Sequence, residues 1–228
     1  MARPVLYPLR SADTATVTYS LHPHGRRRIT IDHRPLAGVT PAMLLDWFSN
    51  LGGTIDYGGE VIDRYLAWHP IDHIKWELAR SAPMGGAAEG ARFHMVEAFG
   101  ARPEYLVDEI ARVEKLDQTG IRLVVRIAGI IVFQLEHTWS AAADGAHYVT
   151  VMDLGPRAAV LAPVNRILRR RFSEDKAHAW VKHNIEEVGQ LEYLLRQLES
   201  SGEAEPAQRA QGREGAPHRE HRQAEPVN

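Results

Sequence analysis

The pattern of hydrophobic and polar positions is clearest near the end of the chain, where it predicts one long helix over residues 173–198. Ser173 is a good N-cap, and Glu174 and Asp175 put negative charge on the first turn, where the helix dipole favours it. Apolar side chains recur at helical spacing and cover one broad face, formed by Trp180, Val181, Val188, Leu191, Leu195 and Leu198, with Asn184 as a polar exception. A face of this width is typical of a helix that packs against another layer of structure.

Two residues of this helix combine reactive chemistry with an unusual position. His183 lies at the edge of the apolar face and Glu187 lies within it, and their spacing puts them one above the other. A carboxylate that points into an apolar groove costs several kcal/mol unless a metal, a cation or a proton compensates its charge. The pair therefore fits either joint ligation of a metal ion or a salt bridge at the edge of the helix.

Alternating and β-branched segments predict antiparallel strands through the middle of the chain. They cover residues 91–99, 121–128, 130–139 and 148–154, with a bulge at Gly129 and a hairpin turn at 143–145. Residues 105–113 are compatible with a helix or a strand. In the first of these strands the alternation puts Phe93, Met95 and Glu97 on one face, so a carboxylate shares its face with two large apolar residues.

The N-terminal part gives weaker signals. Residues 1–39 are expected to be an irregular region, with short strands near 15–22 and 29–33. Thr40 and Pro41 open a helix that ends before Gly52, because Thr is a favourable N-cap and Pro is tolerated at the first helical position. Further along we expect a short helix at 60–68, a helical turn through Trp76 and Leu78, a loop at 81–90 and a basic helical segment within 156–172.

The order of these elements predicts the fold class. Helices come first, several antiparallel strands follow, and a long helix ends the domain, which indicates an α+β domain over residues 1–200. We expect a curved antiparallel sheet to wrap around the last helix and to leave between them a cavity for a small molecule. Residues 201–228 are rich in Glu, Arg, Gln, Pro and Gly, so we expect them to be a disordered polar tail.

Composition narrows the function classes. The 228 residues carry a formal net charge of −2, without the basic excess expected of a general nucleic-acid binder. There is no cysteine, so disulfides, thiolate metal sites and cysteine nucleophiles are excluded. The first residues contain no continuous apolar segment typical of a secretory signal, and no stretch is apolar enough to span a membrane. We expect a cytoplasmic protein that binds neither nucleic acid nor membranes, and a homodimer is left open.

Four residues are candidates for one inner cluster, although none of them is specific alone: His73, Glu97, His183 and Glu187. Glu104 is the alternative to Glu97, which has the better strand context. Two histidines and two carboxylates suit Zn²⁺ and would also suit Fe²⁺ or Mn²⁺, since no thiolate distinguishes these metals.

The segment from Tyr65 through Trp68-His69-Pro70 to His73 resembles the Tyr-x-x-Trp-His-Pro-x-x-His signature of the diacetylphloroglucinol hydrolase family, which includes phloretin hydrolase. The resemblance covers roughly residues 41–198 and implies a helix-grip fold of the Bet v 1/START-like type. It also implies zinc ligation by His73, Glu97, His183 and Glu187. For Tyr65 and His137 it implies roles in proton transfer or phenol binding. Trp76 departs from the polar residue expected near the substrate.

The reaction that the resemblance implies is hydrolysis of the carbon–carbon bond between an acyl group and an electron-rich phenolic ring, so the substrate is expected to be a small phenolic ketone. The ring carbon leaves only as a stabilised carbanion or after it is protonated, and His137 or Tyr65 is the expected proton donor, while zinc polarises the acyl carbonyl or activates a water molecule. Two other readings stay open: a non-catalytic helix-grip protein that binds a hydrophobic small molecule, and a metal-free, polyketide cyclase-like enzyme that uses His137 and Tyr65.

Overall fold

An eight-stranded antiparallel sheet frames the protein in a computed structural model, which describes residues 3–202. The predicted tail begins at the end of the last helix, and residues 203–228 lie outside the described residues. No helix in the described part is long and apolar enough to cross a membrane.

The elements follow one another along the chain with short connections. The strands are β1 (Ala15–Leu21), β2 (Arg27–Ala37), β3 (Thr54–Asp56), β4 (Val61–Asp63), β5 (His73–Arg80), β6 (Arg92–Ala98), β7 (Leu106–Asp117), β8 (Gly120–Ile127), β9 (Ile130–Ala142) and β10 (Gly145–Leu154). The α-helices are α1 (Pro41–Ser49), α2 (Arg64–Trp68), α3 (Ala162–Arg171) and α4 (Glu174–Ser201). Short 3₁₀ turns occupy Ala12–Thr14, Pro23–Gly25, Phe99–Ala101, Pro103–Tyr105 and Ala159–Leu161.

The large sheet has the strand order β1-β2-β10-β9-β8-β7-β6-β5, and β3 and β4 form a separate hairpin. Helix α4 packs its apolar face against this sheet, so that its buried residues belong to two clusters of core side chains. One cluster joins α1 and α2 to the second half of α4, and the other joins β2 and β10 to its first half. The predicted helix-grip fold, a curved antiparallel sheet around a long C-terminal helix, is confirmed.

Helix α4 begins and ends as the sequence predicts. Ser173 is the N-cap, and its hydroxyl accepts a hydrogen bond of 3.2 Å from the backbone N–H of Lys176. Gly202 ends the helix in the left-handed conformation with φ 71°, which glycine adopts without steric cost. The predicted helix after Thr40 and the strands at 121–128, 130–139 and 148–154 are also present as α1, β8, β9 and β10.

The short strands expected near 15–22 and 29–33 are present as β1 and β2, and because β2 is longer than expected, residues 1–39 are less irregular than the sequence predicts. In β2, Ile29, Ile31 and His33 are buried while the residues between them are not, which is the alternation of a strand with one face in the core. The arginines at and just before the start of this strand obscure its apolar alternation in the sequence. Two of them, Arg26 and Arg28, form salt bridges with the buried carboxylate of Asp153, at 2.9 Å and 2.6 Å.

Two further local predictions are corrected. Of the predicted helix at 60–68 only Arg64–Trp68 is helical, because Val61–Asp63 pairs with β3. The predicted helical turn through Trp76 and Leu78 is strand β5, which lies at the sheet edge and pairs only with β6 among the described strands. An edge strand buries few side chains, so its apolar pattern is weak.

Gly129 does not form a bulge. It and Ala128 both have positive φ, 80° and 48°, and they form the two-residue turn of the β8–β9 hairpin. Of the ambiguous residues 105–113, Tyr105 ends a 3₁₀ turn and the others belong to β7.

Candidate metal centre and cavity

His73 is the first residue of β5 and is placed by the turn that follows α2. Its ring nitrogen Nδ1 lies 2.6 Å from the carbonyl oxygen of Tyr65, to which it donates a hydrogen bond. The other nitrogen, Nε2, is therefore unprotonated in the neutral ring, and it is buried with no hydrogen-bond partner among the described residues. A buried and unpartnered acceptor of this kind is ready to bind a cation.

Glu97 stands directly opposite His73 in the β5–β6 pairing. It shares the inner face of β6 with Phe93 and Met95, as the alternation predicts, and all three line the same cavity. The hydroxyl of Tyr65 donates a hydrogen bond to Glu97 Oε1, and the Tyr65 ring stacks on the His73 ring at a centroid distance of 3.9 Å. Tyr65 thus holds both neighbouring side chains in place.

Helix α4 supplies His183 and Glu187 from consecutive turns, and both side chains are buried against the sheet. His183 Nδ1 lies 3.0 Å from Oδ2 of Asp72, which orients the ring so that Nε2 faces Glu97 and Glu187. The indole N–H of Trp68 donates to the backbone carbonyl of Glu187 at 2.8 Å. This hydrogen bond connects α2, which precedes His73, directly to α4, which carries His183 and Glu187.

The four predicted ligands lie together: one ligand atom each of His73, His183 and Glu187 lies within 4.8 Å of the others, and Glu97 approaches each histidine with a different carboxylate oxygen. His73 Nε2 lies 3.6 Å from Glu97 Oε1 and 3.5 Å from Glu187 Oε2. His183 Nε2 lies 3.8 Å from Glu97 Oε2 and 3.6 Å from Glu187 Oε2. Ligands about 2.0–2.1 Å from a tetrahedral Zn²⁺ are about 3.3–3.4 Å apart, so a small contraction of this cluster would enclose one such ion.

Charge in the cluster also fits a cation. Burial raises the pKa of Glu187 to about 8, although the nearby His183 ring opposes the rise. Burial lowers the pKa of His183, but the carboxylates of Glu187, Asp72 and Glu97 outweigh it and raise the pKa to about 9. Burial, with the neighbouring His183, lowers the pKa of His73 well below its usual value. Without a metal, the cluster balances its carboxylates by binding protons, and a divalent cation would take their place.

Glu104, the alternative ligand, lies elsewhere. It is on the 3₁₀ turn Pro103–Tyr105, exposed, and bound to the guanidinium of Arg102 at 2.6 Å. The structure thus brings together His73, Glu97, His183 and Glu187, and it leaves Glu104 on the surface.

A narrow cavity of about 40 Å³ opens beside the cluster, between the sheet and α4. Its apolar wall includes Phe48, Leu123 and Leu135, and its polar side includes Glu97, Glu187 and His137. The cavity is far smaller than the roughly 300–1,000 Å³ typical of ligand pockets, so an aromatic molecule could enter only if the lining side chains moved apart. Trp76 is not part of this wall: it packs against Phe93 at a centroid distance of 5.1 Å.

His137 lines the cavity from β9 and lies on the inner face of the sheet. Its Nδ1 is 2.9 Å from the hydroxyl oxygen of Thr150, and its ring stacks on Phe48 at 6.0 Å. Burial lowers the pKa of His137 to about 3, so the ring is neutral near pH 7. If His137 is the proton donor, as the sequence predicts for it or Tyr65, it therefore starts as a neutral ring and not as an imidazolium.

Several residues that shape the site were not found from the sequence. Asp72 holds His183. Burial raises the pKa of Asp72, but the hydrogen bond and charge of His183, with the nearby His69, together outweigh burial and lower the pKa to about 2. Asn184, in the amide orientation that satisfies its neighbours, donates to Glu187 Oε1 at 3.3 Å. His69 accepts from the backbone N–H of Asp72 at 3.1 Å. The available signals were the position of Asp72 next to His73 and the polar exception at Asn184 on an apolar helix face.

No family model matches the chain, and no curated protein matches it. Among solved structures, a Rhodobacter sphaeroides protein is 12% identical, with a TM-score of 0.46, and covers 80% of this chain and 99% of its own. Ara h 8.0201 is 12% identical, with a TM-score of 0.42, over 77% of this chain and 99% of its own. Protein Ms6760 of Mycobacterium smegmatis is 12% identical, with a TM-score of 0.45, over 80% of this chain and 98% of its own.

Proposed function

We propose that the protein is a zinc-dependent hydrolase that cleaves the carbon–carbon bond between an acyl group and an electron-rich phenolic ring, as in the diacetylphloroglucinol hydrolase family. The observation that carries the proposal is the convergence of His73, Glu97, His183 and Glu187 at donor separations of 3.5–3.8 Å beside an apolar cavity. The Tyr-x-x-Trp-His-Pro-x-x-His segment supports it, because Tyr65, Trp68 and His73 all contact this cluster or its helix.

A divalent ion bound there would polarise the acyl carbonyl of the substrate and lower the pKa of a water molecule at the site. The residues of the chain have the other tasks. The side chains of the cavity wall, with Phe48 and Leu123, would move apart to admit the aromatic ring and would then exclude water from it. Tyr65 donates to Glu97, and burial together with the adjacent Glu97 carboxylate raises the pKa of its hydroxyl well above the usual value. Tyr65 therefore stays protonated and orients Glu97.

Protonation of the ring carbon falls to His137. The nitrogen Nδ1 of this ring is engaged by Thr150, so Nε2 is the atom available to the cavity. A proton from His137 Nε2 forms a C–H bond at the acyl-bearing carbon and turns the phenol into a ketone-like intermediate. A water molecule then adds its oxygen to the acyl carbon, and the carbon–carbon bond breaks as its electron pair returns to the ring and restores the phenol. The products are a carboxylic acid and the deacylated phenol.

The apolar wall of the cavity favours a second candidate, a non-catalytic protein that carries a hydrophobic small molecule. In that case the cluster is a buried network of protonated side chains. A metal-free cyclase that relies on His137 and Tyr65 is the third candidate, and metal content separates the first candidate from both others.

The test is release of carboxylic acid from acylphloroglucinols and dihydrochalcones by zinc-loaded protein. We expect turnover by the wild type and none by Glu187→Gln, which removes one ligand charge, while Glu104→Gln serves as a matched control at an exposed position. Tight binding of these compounds without acid release would favour the carrier.

A further inference from the structure

Two buried polar side chains, Thr150 and His33, are connected to His137 by short polar contacts, and neither belongs to the metal cluster. The hydroxyl oxygen of Thr150 is 2.9 Å from His137 Nδ1 and 3.0 Å from His33 Nε2. The three residues come from adjacent strands β9, β10 and β2, and all three side chains are at most 3% exposed. Thr150 stands directly opposite His137 in the β9–β10 pairing, which fixes the contact through the backbone.

The hydroxyl has a single hydrogen, so it donates to one imidazole and accepts from the other. In one direction His137 Nδ1 donates to Thr150, and Thr150 donates to His33 Nε2, which leaves His137 Nε2 bare towards the cavity. In the reverse direction His33 donates to Thr150, Thr150 donates to His137 Nδ1, and His137 Nε2 carries the proton. The direction of two hydrogen bonds thus decides whether His137 accepts or donates a proton.

The surroundings suit exchange of a proton between the two rings. Burial lowers the pKa of both His33 and His137 to about 3, and nearby positive groups add to the effect at His33, so both rings rest neutral and neither traps a proton near pH 7. His33 also faces the positive charge of Arg10, which is bound to Glu192, and the side chain of His147, which is bound to Asp32. The Tyr148 ring contacts both imidazoles, at 5.6 Å from His33 and 5.5 Å from His137.

We propose that Thr150 and His33 are positioning residues that relay a proton to and from His137, a role that rests on the proposed hydrolase function. When His137 Nε2 takes up a proton, its Nδ1–H bond breaks and a new O–H bond forms on Thr150. The old O–H bond breaks and an N–H bond forms on His33 Nε2. The positive charge then lies on His33, away from the metal cluster. The reverse sequence returns the proton through His137 Nε2 to the ring carbon of the substrate.

The experiment compares Thr150→Val, which keeps the shape and removes the hydroxyl, with Thr150→Ser, which keeps the hydroxyl. Zinc-loaded full-length protein is used, and kcat and KM are measured against pH. We expect Thr150→Val to lose on the order of tenfold to 100-fold in kcat with little change in KM, since a lost hydrogen bond of this kind is worth one to two factors of ten. Thr150→Ser should keep most of the wild-type kcat. Thr138→Val, on the opposite face of β9, should have the kcat of the wild type.

His33→Gln should lower kcat similarly, and the double variant with Thr150→Val should be no worse than either single variant, because residues that act as a unit are not additive. Wild-type kcat and an unchanged pH profile in Thr150→Val would overturn the relay while leaving the hydrolase intact.

A readout without turnover separates the two proposals. Nitrogen NMR of ¹⁵N-histidine-labelled protein reports which ring nitrogen carries hydrogen. We expect His33 and His137 to have linked tautomers in the wild type and Thr150→Ser, with hydrogen on Nδ1 of both rings or on Nε2 of both rings. In Thr150→Val the tautomer of one ring should no longer depend on that of the other. If no acylphenol is hydrolysed but the tautomers are linked, the hydrolase fails and the relay stands. Identical tautomers in the wild type and Thr150→Val would overturn the relay.

Discussion

At the scale of single residues, the site depends on which nitrogen of each histidine is free. His73 is fixed by the carbonyl oxygen of Tyr65, and His183 is fixed by the carboxylate of Asp72. Each ring therefore presents Nε2 to the same point. These partners are as important to the proposed metal site as the ligands themselves, because a misoriented ring cannot share one ion with the carboxylates.

Asp72→Asn tests this role. The change keeps the size of the side chain and removes its charge, so the hydrogen bond to His183 Nδ1 weakens. We expect zinc affinity to fall by about 10–100-fold, the usual cost of losing a carboxylate behind a histidine ligand. Competition against a chelator measures the affinity, and Asp108→Asn, a carboxylate bound to the exposed side of His94, is the matched control. Equal affinities of Asp72→Asn and wild type would contradict the role.

His33 gives a prediction for stability against pH. Its pKa is lowered from 6.5 to about 3 by burial and by the nearby His137 and Arg10, so between these values the unfolded chain binds a proton that the folded chain does not. Stability from this group is complete above pH 6.5 and is lost as pH falls towards 3. We expect His33→Gln to reduce the slope of unfolding free energy against pH by about 1.4 kcal/mol per unit in that window.

Urea unfolding at pH 6.5, 5.5 and 4.5 measures the slope. His178→Gln, on the surface side of α4, is the control and should leave the slope as in the wild type. A slope in His33→Gln equal to that of the wild type would show that His33 is protonated in the folded protein.

Residue-level prediction from the sequence worked where a pattern was local. The helical spacing of His183 and Glu187 and the alternation around Glu97 put these side chains on inward faces, and the structure has them there. Asp72 and Thr150 were not predicted, because their partners His183 and His33 are more than a hundred residues away in the chain. Only the pairing of strands and the packing of α4 bring them together.

At the scale of elements, α4 organises the site, and its start is set by a single cap. Ser173→Ala removes the acceptor for the Lys176 N–H. We expect a loss of about 1 kcal/mol in the free energy of unfolding, the usual value for an N-cap. Thermal or urea unfolding measures it, and Ser200→Ala, near the other end of the same helix, should change stability less. Equal losses in the two variants would contradict the capping role.

The strand that the sequence misjudged, β5, lies at one edge of the large sheet, where one side faces solvent and shows little apolar contrast. The other edge strand, β1, lies where the sequence predicts a strand, at 15–22. β2 was underestimated because its outer face is polar and charged. The central strands β8, β9 and β10 were predicted well, because each has strands on both sides and packs apolar side chains into the core that includes α4.

At the scale of the whole molecule, the grip of the sheet on α4 explains why ligands from three distant segments can share one point. β5 and β6 bring His73 and Glu97 from the far edge of the sheet, and α4 brings His183 and Glu187 across to meet them. A metal bound only by this arrangement would stabilise the folded state by mass action. The cytoplasmic location, the absence of nucleic-acid and membrane partners, and a homodimer stay predictions.

Titration of zinc into chelator-treated, tag-free protein measures directly whether the cluster binds one divalent ion. We expect one ion per chain for the wild type and Glu104→Gln, with a rise in melting temperature as zinc is added. For His73→Ala and Glu187→Gln we expect loss of stoichiometric binding and of the rise in melting temperature. No zinc binding by the wild type, or binding by Glu187→Gln as tight as in the wild type, would contradict a metal site at this cluster.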